Sequence, residues 1–116
     1  MLDRSAGLLA EIERACAQIK EYLSQLDRTA FLADQRTQDA VLMQMIVIGE
    51  AANKLDANAL REAPEIDWPK LIGLRHRIAH GYDSIDRARI WDDCEQHLPA
   101  LETAVERMLT ARGEAP

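Results

Sequence analysis

The sequence is poor in cysteine, in uninterrupted apolar runs and in positive charge, and each shortage removes a class of function. Cys16 and Cys94 lie far apart and form no Cys-x-x-Cys pair, which speaks against a thiolate metal site or a disulfide framework. Both are expected to pack as small buried apolar groups. The longest nearly apolar run, Ala40 to Gly49, is interrupted by Gln44 and falls well short of the ~20 residues a spanning helix needs. No membrane association is expected. Met1 to Ser5 carry Asp3 and Arg4 and lead into a helical pattern, unlike a secretory signal, so a cytoplasmic location is expected. Basic residues are outnumbered, 14 Lys+Arg against 20 Asp+Glu, for a formal net charge of -6. That balance speaks against a general nucleic-acid coating protein, whose affinity comes from neutralised phosphates. No period-2 alternation, glycine-rich phosphate loop, low-complexity tract or internal repeat is present, which leaves an all-α chain.

The 116 residues suit a single core, since a domain of this length removes roughly two thirds of its unfolded surface from water. Apolar residues at Leu8, Ile12, Ala15, Ile19, Leu23 and Leu26 recur at helical spacing, with Ser5 as a candidate cap. Residues 29–38 read as a polar connector. A second helical face follows at Val41, Leu42, Met45, Ile46, Ile48, Ala52 and Leu55, apolar over more of its circumference and therefore the most buried. Residues 56–67 read as a connector holding a short helical turn. Trp68-Pro69 opens a third helix, expected to run to a left-handed stop at Gly81. The last helix starts near Asp86, with Pro99 expected to kink it. The expected architecture is an antiparallel, up-and-down four-helix bundle with a short extra helical turn, formed by residues 1–112 as one domain with a frayed tail at 113–116.

The window from Trp68 to Tyr82 holds Lys70, Arg75 and Arg77 and no acid, so it carries +3 within a chain whose other residues sum to -9. His76 and His80 lie in the same window. A cationic island with titratable imidazoles is where a phosphate-containing ligand would sit in an otherwise acidic protein. At roughly 100° per residue, His76 and His80 share a helix face, whereas Arg75 and His80 point about 140° apart. Arg75 and His80 can converge if the chain deviates near Gly81, or if a two-fold dimer gathers two copies of the pair in one cleft.

The run Arg75-x-x-x-x-His80-x-Tyr82, after Trp68-Pro69 and before Ile85-Asp86, resembles the HEPN superfamily, and within it the HepT-like toxins paired with MntA-like nucleotidyltransferase antitoxins. The resemblance extends over most of the chain, including Ile48-Gly49-Glu50-Ala51-Ala52 and Leu98-Pro99-x-Leu101. It implies a helical bundle that dimerises across the Arg-x4-His motif and cleaves RNA, with tRNA as a candidate target, using neither metal nor cofactor. Arg75 would hold the phosphate and His80 would transfer protons. His76 would orient the motif or share that transfer, and Lys70 and Arg77 would bind RNA. Glu50 would neutralise and orient Arg75 or Arg77. The resemblance also implies that the antitoxin adds AMP to Tyr82, which would place a bulky anion beside His80 and block the cleft.

Plainer roles exist for each of these residues. Lys70, Arg75 and Arg77 could form a solvated helix face, and Glu50 could pair only with Lys54. His76 and His80 could bind a metal, although no third ligand is evident and Arg77 stands where His-Glu-x-x-His sites carry glutamate. His97 reads as a hydrogen-bonded core histidine. Tyr82 could cap its turn against Trp91, and Met43 is a candidate for a dimer interface. The alternative function is a non-catalytic helical module that binds a nucleotide or a partner protein.

Overall fold

A computed structural model describes residues 4–113, whose regular structure is all helical, with no strand among them. Three long helices carry the fold: α1 (Arg4–Leu23), α3 (Gln35–Lys54) and α7 (Arg87–Ala111). Between α1 and α3 lies the short α2 (Arg28–Leu32), and after α3 come α4 (Ala57–Arg61), α5 (Trp68–Ile72) and α6 (Leu74–Gly81). A 3-10 turn over Tyr82–Ser84 leads into α7. The α5–α6 unit takes the place of the fourth bundle helix. The expected four-helix bundle is therefore observed, with two short extra helices rather than one.

Aspartate starts these helices. Asp27, Asp34, Asp56, Asp67 and Asp86 cap α2, α3, α4, α5 and α7, each side chain accepting backbone N–H groups two or three residues ahead. Such a side chain satisfies one of the donors that a helix start leaves unpaired. Part of the acidic excess is thus used on backbone amides. The Asp34 carboxyl also accepts the Thr37 hydroxyl at 2.7 Å, and the two Thr37 bonds hold its pKa below the ordinary carboxylate range.

The core is continuous along α1, α3 and α7. Leu9, Ile12, Cys16 and Ile19 of α1 face Val41, Leu42 and Ile48 of α3, and Leu101, Val105 and Met108 of α7 complete the interior. The widely apolar second helix of the sequence is α3, which packs against α1 on one side and α5–α6 on another.

Local expectations are corrected at residues 29–38, at Ser5, at Gly73 and at Gly81. Residues 29–38 hold α2 and the first turn of α3 instead of a polar connector, because Asp27 and Asp34 start a helix each. Phe31 in α2 is fully buried, its ring 5.4 Å from that of Trp91, and buried Gln38 donates to the Phe31 carbonyl at 2.8 Å. Ser5 is a buried residue inside α1, not a cap ahead of it. The third helix is divided at Gly73. Gly81 keeps a φ of -127° and passes the chain into the 3-10 turn, so it is not a left-handed stop. α7 runs unbroken through the exposed Pro99. Of the tail, Gly113 has φ 80° and residues 114–116 lie outside the described range. Among the described residues no helix is long and apolar enough to cross a membrane.

Candidate active site

The site is built where α6 lies along α3. A Cβ on Gly49 would stand 2.8 Å from the Leu71 carbonyl oxygen and 3.4 Å from the Arg75 amide nitrogen, so only glycine lets the α5–α6 junction come this close. The next residue on α3, Glu50, meets Arg75, with Nε and Oε1 3.2 Å apart. Three turns back along α3, Asp39 accepts a hydrogen bond from the Tyr82 hydroxyl at 2.6 Å. These two contacts run in opposite senses along the two elements, which makes α3 and α6 antiparallel and pins both ends of the motif to α3.

Of the two acceptor roles expected for Glu50, the structure realises the one with Arg75. The pair is open to water, with side chains 66% and 41% exposed, so it serves orientation more than stability. Arg77 is engaged elsewhere: its guanidinium donates to the Lys70 carbonyl at 2.6 Å, bridging the Gly73 division between α5 and α6. Lys70 reaches toward Asp93 of α7 at 3.9 Å.

His76 and His80 share a face as their spacing requires, their ring centroids 4.3 Å apart and the planes tilted by 43°. Both are exposed, as is Arg75. The structure therefore brings His80 to His76 and Arg75 to Glu50, on one short helix but toward different neighbours. No group of three His, Cys, Asp or Glu side chains able to hold a metal ion occurs among the described residues. A groove of about 290 Å³ runs between α5 and α7, with Met45, Ile48, Leu71, Lys70, Asp93 and His97 in its lining, and neither Arg75 nor His80 contributes to it. His97 is thus an exposed groove residue, not the core histidine expected.

The HepT-like ribonuclease family model matches residues 12–108, nearly the whole chain. The chain belongs to the HepT-like ribonuclease family. It is 29% identical over 100 residues to a probable ribonuclease HepT of Thermococcus cleftensis, covering 86% of this chain and 91% of that one. A proposed RNase of Methanocaldococcus jannaschii is 31% identical over 103 residues, covering 89% of this chain and 85% of its own length. One from Caldanaerobacter subterraneus is 24% identical over 101 residues, with 87% and 90% covered. No solved structure matches the chain.

Two residues that contact Tyr82 are not marked by the sequence. Asp39 lies far from the motif in the chain and carries no local signal beyond being an acid on the α3 face that also presents Glu50. Arg87 stands with its guanidinium carbon 4.8 Å from the centre of the Tyr82 ring. Tyr82 consequently packs with Asp39 and Arg87 and not with Trp91, which pairs with Phe31.

Proposed function

We propose that this HepT-like chain is an endoribonuclease that works as a homodimer without a metal ion, forms the toxin half of a toxin–antitoxin pair, and is silenced when a nucleotidyltransferase antitoxin transfers AMP to Tyr82. The observation that carries the reading is the exposed Arg75, His76 and His80 on α6, a cation and two imidazoles on an acid-free helix whose partner acid, Glu50, lies across on α3.

These groups are the ones that cleavage by the RNA's own 2'-hydroxyl requires. His80, as neutral imidazole, accepts the hydroxyl proton while the oxygen attacks the adjacent phosphorus. Arg75 balances the charge that gathers on the phosphate oxygens. A protonated imidazole, from His76 or from a second copy of the motif, returns a proton to the leaving oxygen. A second copy also supplies the walls that one copy lacks, since Arg75 and His80 stand on open surface. Met43, 56% exposed on α3, gives that copy an apolar contact. Lys70 and Arg77 extend the positive surface toward flanking phosphates, and tRNA is the target class proposed. AMP on Tyr82 would set an anion two residues from His80 and compete for Arg75.

The test is cleavage of RNA in EDTA by the wild type, Arg75→Ala and His80→Ala. Each substitution is expected to lower the rate at least a hundredfold. Mixed Arg75→Ala and His80→Ala chains are expected to recover part of the activity by assembling one intact site. Equal activity of all three proteins defeats the assignment. RNA binding without turnover, retained by His80→Ala, would make the chain a binding module instead. Mass spectrometry after co-expression with the transferase is expected to find AMP on Tyr82.

A further inference from the structure

Tyr82 is held by two charged groups that lie outside the Arg-x4-His-x-Tyr run. Its hydroxyl donates to Asp39 Oδ1 at 2.6 Å, the short separation of a charge-assisted O–H···O⁻ bond. Asp39 sits in the second turn of α3, whose start Asp34 fixes, so the carboxylate is presented from a rigid element and not from a loop. On the ring itself stands the Arg87 guanidinium, whose Nη2 also approaches the Tyr82 carbonyl at 3.5 Å. The tyrosine is an exposed residue, with 38% of its surface open to solvent.

We propose that Asp39 is the proton acceptor that primes the Tyr82 hydroxyl for nucleotidyl transfer, so that this chain supplies the base for its own modification. The inference rests on the reading of Tyr82 as the AMP acceptor given above. In the step, the Tyr82 oxygen forms a bond to the α-phosphorus of a nucleoside triphosphate held by the transferase. The phenolic proton passes to the Asp39 carboxylate. The bond from the α-phosphorus to the bridging oxygen breaks, and pyrophosphate leaves with that electron pair. Asp39 then returns its proton to water. A base must lie within hydrogen-bond reach of the proton it takes, and Asp39 meets that condition before any partner arrives. Arg87 is a positioning residue: it fixes the ring so that the oxygen stays on the carboxylate. The charged groups that contact Tyr82 include Asp39 from α3 and Arg87 from α7, with Asp83 adjacent in the chain.

Asp39→Asn separates this role from that of a latch, because the amide oxygen still accepts the hydroxyl's hydrogen bond but cannot take its proton. With the cognate transferase, ATP and magnesium, AMP is expected to reach Tyr82 about 10²-fold more slowly in Asp39→Asn than in the wild type. The deficit should shrink as pH rises and hydroxide replaces the missing acceptor. Asp39→Glu should recover part of the rate, and Asp39→Asn should keep the wild-type unfolding transition. Wild-type rates in Asp39→Asn across the pH range overturn the acceptor role alone. AMP placed on a residue other than Tyr82 in the wild type overturns the reading of Tyr82 and the acceptor role with it. A partner-free arm uses fluorosulfonylbenzoyl adenosine, which sulfonylates tyrosine directly, with Tyr22 as internal reference. Labelling of Tyr82 about tenfold faster in the wild type than in Asp39→Asn supports the proposal, and equal labelling overturns it.

Discussion

Gly49 packs directly against the backbone at Leu71: a Cβ on Gly49 would stand 2.8 Å from the Leu71 carbonyl oxygen. That approach sets the depth at which α5 and α6 lie on α3, and so the distance over which Glu50 reaches Arg75. The obstacle a side chain would meet is backbone, which cannot rotate away.

Gly49→Ala is therefore expected to destabilise the chain by about 2 kcal/mol, the usual cost of overpacking. Its Tm should fall by roughly 8 °C, and RNA cleavage should fall with it as Arg75 is pushed off its partner. Gly7→Ala supplies the opposite sign. Gly7 lies inside α1 with nothing within 4 Å of its would-be Cβ, so alanine there is expected to stabilise by about 0.7 kcal/mol. Thermal unfolding followed by circular dichroism reads both.

Glu50→Gln removes a charge from an ion pair open to water, and less than about 1 kcal/mol of stability should go with it. Cleavage should drop about tenfold, because Arg75 loses the neighbour that aims it. An unchanged rate beside an unchanged Tm would mean that Glu50 does not position Arg75.

Lys70→Ala and Arg77→Ala should behave differently although both remove one positive charge from the same helix pair. Lys70 holds only a 3.9 Å contact with Asp93, so its loss should flatten the salt dependence of RNA binding by about 0.7 in log-log slope with little change in Tm. Arg77 also closes the Lys70 carbonyl at 2.6 Å, so Arg77→Ala should cost about 1 kcal/mol of stability as well. Fluorescence anisotropy titrations in a His80→Ala background, paired with melting curves, separate the two effects.

Cys16 and Cys94 predict an alkaline limit to stability. Burial pushes each thiol up to about 12, with nearby acids adding to the effect, including Glu102 at Cys16 and Asp93 at Cys94. In the unfolded chain both thiols ionise near their ordinary value of about 9. Above that pH the unfolded state holds fewer protons than the native state, so stability falls as pH rises from about 9 toward 12, and below about 9 the thiols contribute no slope. Urea midpoints for the wild type and for Cys16→Ala/Cys94→Ala should diverge in slope across that window. Parallel curves would refute the account.

Much of the fold was legible because helical periodicity is local. The α1 stripe through Ile12, Ala15 and Ile19, the broad apolar surface of α3 and the Trp68-Pro69 start of α5 are all visible at spacings of three and four. Asp27 and Asp34 are cap residues by type as well, but a five-residue helix is too short to show a period, so α2 and its buried Phe31 resemble a connector in the sequence. The division at Gly73 and the course of the chain through Gly81 were not legible. Both glycines keep negative φ, so their conformational freedom gave no guide to where the helix would turn.

Sequence by itself determined the helical class, the cationic acid-free segment and the residue types of the site, because each follows from composition and short-range spacing. It also determined that His76 and His80 would share a face, since four residues make about one helical turn. Tertiary structure decided which of two arginines Glu50 would meet, where Arg77 would spend its donors, and that Asp39 would stand against Tyr82. The contacts of Glu50 and Asp39 join positions far apart in the chain. They depend on the depth and register at which α6 lies on α3, and that is set by close packing at Gly49, a constraint that exists only once two backbones have met.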